Sequence, residues 1–181
     1  AFEKEHGSID LAENQKAWRD TLKENRVAVG GQSPPGYGPT DMTDAQHRDG
    51  KNVRQVAKWI NEQTHGDKPF FITCGIHKPH VPFWAPQKYF DMYPADKIPV
   101  QPVPLDDLED IPPRALVRRY EAFGFERGVE NMKLRRDYMQ AYHACITFID
   151  AQIGLLWDAL DEQELWEDTI VIVMSDHGYH L

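Results

Sequence analysis

Phe70-Phe71-Ile72-Thr73-Cys74-Gly75-Ile76 is a short, nearly continuous apolar run, and His77-Lys78-Pro79-His80 follows it directly. A run of strand length without polar alternation predicts a strand covered on both faces, as in a parallel sheet. A second run, Thr169-Ile170-Val171-Ile172-Val173-Met174, is rich in β-branched residues and leads straight into Ser175-Asp176-His177-Gly178. It predicts a second buried strand, parallel to the first.

Each strand is preceded by a helical pattern. Val53, Val56, Ala57 and Ile60 fall on one helical face, with Asp49 as the expected cap and Gly66 and Pro69 as the stop. From Leu134, the residues Tyr138, Ala141, Cys145, Ile149, Ile153, Leu156 and Leu160 recur at gaps of three or four, which predicts a long helix packed by one face on the sheet. Helix, strand and polar motif thus occur twice, the alternation of an α/β domain with a mostly parallel central sheet and flanking helices. Leu11 to Leu22 reads as a surface helix, and the Gly- and Pro-rich stretch Gly30 to Pro39 as irregular loop. The proline-rich residues 81 to 113 read as an excursion of the kind that shapes pockets.

The 181 residues carry a formal net charge of -9, with 41% hydrophobic and 27% charged residues. That is a globular composition. Its acidity argues against a nucleic-acid partner, because phosphate backbones require clustered Lys and Arg. The longest apolar run, Ile170 to Met174, is far short of the roughly 20 residues of a membrane-spanning helix. Cys74 and Cys145 read as buried thiols rather than a disulfide framework or zinc site. None of the three serines, Ser8, Ser33 and Ser175, stands in a Gly-x-Ser-x-Gly setting, and no Gly-rich phosphate loop is present.

In open parallel sheets ligands bind outside the carboxyl ends of the strands, where both polar motifs are expected. His77, His80, Asp176 and His177 are therefore candidates to converge on a metal or an anionic group. Plainer readings remain. Asp176-His177-Gly178 also fits a strand-to-loop turn, and His77 and His80 fit a proline-stiffened loop whose imidazoles satisfy backbone groups, with Lys78 as a solvated charge. Asp106, Asp107, Glu109 and Asp110, and the charges of Arg135, Arg136 and Asp137, read as solvated faces.

The block Lys68-Pro69-Phe70 through His80-Val81-Pro82 resembles the second conserved block of the sulfatases, particularly the iduronate-2-sulfatase-like branch of that alkaline-phosphatase-like superfamily. Pro86-Gln87-Lys88-Tyr89-Phe90-Asp91-Met92-Tyr93-Pro94 is similar to the segment that follows it. Tyr142 to Ile153 and Asp168 to Gly178 are similar to the helix and strand that lead to the family's metal motif, in matching order across residues 40 to 181. The resemblance implies an alkaline-phosphatase-like sandwich, of which residues 1 to 181 would be an internal piece. It makes His80 the histidine that contacts the sulfate group and protonates the leaving alcohol oxygen. It makes Asp176 and His177 ligands of a divalent cation, expected to be calcium, although many sulfatases carry Asn where this chain has His177.

The formylglycine nucleophile, formed from the first residue of a Cys-x-Pro-x-Arg or Ser-x-Pro-x-Arg segment, and an acidic metal pair would precede this chain in the family. A lysine would follow Leu181, so the piece alone is expected to be inactive. The implied substrate is a sulfated small molecule or glycan, in a periplasmic, secreted or lysosome-like setting. Two readings compete: a phosphodiesterase or phosphonate monoester hydrolase of the same superfamily, and a noncatalytic carbohydrate-binding remnant.

Overall fold

A computed structural model describes residues 36–63, 65–102, 104, 106, 107, 109–114, 125 and 131–178. In chain order the regular elements are β1 (Tyr37–Thr40), α1 (Arg48–Asn61), β2 (Phe83–Pro86), α2 (Gln87–Asp91) and α3 (Met132–Glu162), with single 3-10 turns at Ala95–Lys97 and Trp166–Asp168. The surface helix expected over Leu11 to Leu22 lies outside the described residues.

The stripe of three- and four-residue gaps becomes α3, 31 residues long. Asn131 starts it by accepting the backbone N–H of Leu134 on its side chain at 3.0 Å, which satisfies one of the donors a helix start leaves open. The face carrying Tyr138, Ala141, Cys145, Phe148 and Ile149 closes on Phe83, Ala85, Tyr89 and Phe90 to form one core. Further along, Ala159 and Leu160 meet Val56 and Ile60 of α1 in a second.

The two strands that pair are not the expected ones. β1 and β2 run parallel in the register Tyr37↔Phe83, Gly38↔Trp84, Pro39↔Ala85 and Thr40↔Pro86. The first comes from a stretch rich in Gly and Pro and the second from one rich in Pro, which read as loop and excursion. Gly38 sits at φ 130°, a left-handed conformation that side chains disfavour, and each strand contains a proline, which suits a short two-stranded ribbon. Burial overrides local preference here, since Phe83, Trp84 and Ala85 lie under α3 with 2% exposure or less.

The two apolar runs behave otherwise. From Phe71 to Ile76 exposed and half-buried residues alternate, the period-two signature of extended chain with one face covered. Ile72 and Cys74 pack on the α1–α3 core and Ile76 on the other core, while Phe71 stands 93% exposed. Thr169 to Met174 is opener still, with Ile170 at 90% and Met174 at 84%. Neither run is hydrogen-bonded as a strand among the described residues, which corrects the expectation of two doubly covered parallel strands. Local sequence can favour extended chain, but a strand requires a neighbour, and that depends on distant residues.

Candidate functional site

Asp49, expected to cap its own helix, does something else. His47 is the N-cap of α1 and makes no side-chain cap bond. Asp49, 3% exposed, turns its carboxylate across to the loop after Ile76, where it accepts the backbone N–H of His77 at 3.0 Å and that of Lys78 at 2.9 Å. The loop then closes on itself. The backbone N–H of His80 donates to the His77 carbonyl at 3.0 Å, and the Lys78 ammonium donates to the carbonyls of His80, at 3.1 Å, and of Pro82. The Lys78–Pro79 and Val81–Pro82 peptides are cis.

Lys78 is therefore not the solvated charge that the sequence suggested. Its side chain runs inward, and desolvation holds its ammonium below the ordinary lysine range against the opposing pull of the Asp49 carboxylate. Its charge, after burial, also lowers His77, with a further contribution from His80.

The imidazoles of His77 and His80 lie with ring centroids 4.6 Å apart. His80 Nδ1 is 2.7 Å from the Val81 carbonyl. A carbonyl only accepts, so Nδ1 carries a proton, and Nε2 is the nitrogen able to exchange one with a ligand. Behind the loop a cavity of about 50 Å³ is lined by His47, Arg48, Asp49, His77, Lys78, Pro82 and Trp84. It has room for water, not for a sugar, and exposed His80 lies outside its lining.

His47 and Asp49 escaped the reading of the motifs. His47 is 2% exposed, 2.8 Å from Thr40 Oγ1 and packed at a tilt against Phe148, ring centroids 5.0 Å apart. Burial pushes it down to about 4. A histidine two residues before an acidic helix start would have been the only clue.

The second motif ends the exposed run. Asp176 is 91% exposed in its side chain and His177 67%. Asp176 Oδ1 accepts the backbone N–H of His177 at 3.0 Å, and His177 Nδ1 donates to the Gly178 carbonyl at 3.1 Å, which orients the ring and places a proton on Nδ1. Asp176 Oδ2 and His177 Nε2 are 3.9 Å apart. That is less than the sum of two metal–ligand bonds of roughly 2.0–2.6 Å, so one cation can touch both. The pair supplies two donors, and no group of three or more His, Cys, Asp or Glu side chains suited to a metal occurs among the described residues.

Tyr142 of α3 touches Phe83 and comes near Gly178. The Tyr142 ring packs edge-on against Phe83 at 5.6 Å, three residues after His80, and a methyl placed on Gly178 would lie 3.7 Å from its hydroxyl. Neither cysteine offers a nucleophile: burial raises Cys74 to about 11 and Cys145 to about 12, so both stay protonated at neutral pH. Asp106, Asp107, Glu109 and Asp110 are exposed, as solvated charges should be. No helix among the described residues is long and apolar enough to cross a membrane.

Comparison with known proteins adds a lineage to this geometry. Residues 6–181 match the family model described as Sulfatase. A sulfatase of Formosa agariphila is 37% identical over 130 residues, covering 70% of this chain and 26% of that protein. Human iduronate 2-sulfatase is 30% identical over 156 residues, covering 79% of this chain and 28% of its own length. The multifunctional alkaline phosphatase superfamily protein PehA of Trinickia caryophylli is 34% identical over 125 residues, 63% of this chain and 24% of that protein. The chain thus spans about a quarter of the length of these relatives.

Proposed function

The chain belongs to the sulfatase family, an alkaline-phosphatase-like lineage, and from that premise we propose that the full-length protein hydrolyses a sulfate ester on a carbohydrate, with His80 as general acid and Asp176 and His177 as part of a cation site. The observation that carries this reading is the way His80 is held. Its backbone is closed into the His77–His80 turn, and its Nδ1 is bonded to the Val81 carbonyl, so Nε2 of a fixed ring is the atom that would give a proton to the departing alcohol oxygen.

Asp176 and His177 bring a hard oxygen donor and an imidazole to one point, a donor pair suited to a divalent cation, for which calcium is our choice. Such a cation, when bound, supplies positive charge against the sulfate oxygens. With both thiols protonated and no serine in a nucleophile setting, the nucleophile, a formylglycine in this reading, belongs to residues outside this chain. Residues 1 to 181 then form an internal piece of the catalytic domain that does not turn over substrate by itself.

The similarity to the multifunctional alkaline phosphatase superfamily protein favours one second reading, a phosphodiesterase or phosphonate monoester hydrolase, since phosphate and sulfate esters place similar charge in similar pockets. Turnover of sugar sulfates and of phosphate diesters by the full-length protein decides between them. A kcat/KM higher for the sulfate by about a hundredfold or more is expected; the reverse preference overturns the sulfatase reading. The same gene should encode Cys-x-Pro-x-Arg or Ser-x-Pro-x-Arg upstream.

A further inference from the structure

We propose that Asp49 is the positioning residue for His80: its buried carboxylate fixes the His77–Lys78 backbone and thereby holds the imidazole three residues on at the leaving-group oxygen. This rests on the general-acid reading of His80 and extends it to a residue on another element.

Burying a carboxylate is costly unless hydrogen bonds replace its water, and here two backbone N–H donors, at 3.0 and 2.9 Å, do so. Bonds to an ionised acceptor are the stronger kind. Asp49 also lies in the first turn of α1, whose positive end favours a negative charge there. The carboxylate therefore joins a rigid helix to a loop 28 and 29 residues later in the chain. It grips one side of the turn while the Lys78 ammonium grips the other through the His80 and Pro82 carbonyls. Between these grips lies only the turn closed by the His80-to-His77 bond, so a shift at residues 77 and 78 is passed to His80. Misplacing a catalytic group by about 1 Å can cost about a hundredfold in rate.

The test uses the full-length, metal-loaded protein carrying Asp49→Asn, which keeps the shape but turns one acceptor into a donor facing an N–H. Hydrogen exchange of the amides between residues 76 and 82 should quicken. The kcat on a sugar sulfate should fall about 10- to 100-fold, while kcat on nitrophenyl sulfate, whose leaving group needs little acid help, falls less than about threefold. KM should stay nearly constant for both. Asn52→Ala is the control: it removes another tie from the same helix to this segment, the bond from Asn52 Nδ2 to the Gly75 carbonyl at 3.0 Å, and should lower both activities alike.

Unchanged exchange in Asp49→Asn overturns the proposal. So does an equal loss on the two substrates, or the same selectivity in Asn52→Ala. His80→Ala measured in parallel keeps the two ideas apart: if it lacks the leaving-group dependence, the general-acid reading fails and this proposal with it. If it shows the dependence and Asp49→Asn does not, only the positioning role is lost. Should Asp49→Asn not fold, Asp49→Ser, which retains a short acceptor, takes the same measurements.

Discussion

The imidazole of His47 is bonded through Nε2 to Thr40 Oγ1 at 2.8 Å, which ties the start of α1 to the end of β1. Thr40 has one hydroxyl proton and directs it to the Ala85 carbonyl at 3.4 Å, so it accepts from His47, and the ring is neutral with its proton on Nε2. This bond joins α1 to the β-ribbon beside the His77–His80 loop.

That neutrality has a consequence for stability. Burial pushes His47 from 6.5 to about 4. Between those values the unfolded chain binds a proton that the folded chain refuses, so stability is full above pH 6.5 and declines as pH falls toward 4. The loss over this window is about 3 kcal/mol. Denaturant unfolding of the full-length protein at pH 7.5 and pH 4.5 measures it. His47→Gln should flatten this part of the profile; an unchanged profile would assign the acid sensitivity to other groups.

Gly50 is predicted to tolerate no side chain. A Cβ there would lie 1.8 Å from the Asp44 carbonyl oxygen, a backbone atom that cannot swing aside. Asp44 is itself held by its side chain, which accepts from Lys88 Nζ at 2.9 Å and from the Tyr89 hydroxyl at 2.7 Å. Gly50→Ala should destabilise the fold by about 1–3 kcal/mol, the usual cost of overpacking. Thermal unfolding checks this, and a melting temperature equal to that of the parent would refute it.

How far these features were legible in the sequence depends on whether their cause was local. The Leu134-to-Leu160 stripe announced α3 because helical periodicity repeats every few residues. Asp49 looked like a cap since Asp favours helix starts, yet its partners are the amides of His77 and Lys78, which no short window contains. Lys78 looked solvated because charge normally is, and only the folded loop shows its ammonium turned to two carbonyls. Tyr37–Thr40 and Phe83–Pro86 hid behind glycine and proline, and became strands once α3 covered Phe83 and Trp84. The polar motifs stood out because each follows a strand-length apolar run, whereas Tyr142, one tyrosine on an apolar stripe, read as core although its ring packs on Phe83.

Asp176→Ala is expected to weaken calcium binding by the full-length protein. Loss of an outer partner of a metal ligand commonly costs about 10- to 100-fold in affinity, and loss of a carboxylate ligand should cost at least about a hundredfold. Calorimetric titration measures it on the folded variant. Unchanged affinity would remove Asp176 from the ligand set and leave its bond to the His177 N–H as an ordinary turn contact.

His80→Ala gives the sharpest separation of roles. An acid matters most when the departing oxygen is basic, so the full-length variant should lose far more turnover on an alkyl or sugar sulfate than on nitrophenyl sulfate. Removing general-acid catalysis is typically worth about 10²- to 10⁴-fold, and the difference between the two substrates should approach that size. Calcium affinity should barely move, because Asp176 and His177 hold their geometry through bonds to each other and to Gly178. Equal losses on both substrates would mean that His80 binds the sulfate group without protonating the leaving oxygen. No loss on either would remove His80 from the reaction, and the clamp of Asp49 on its loop would then be a matter of stability alone.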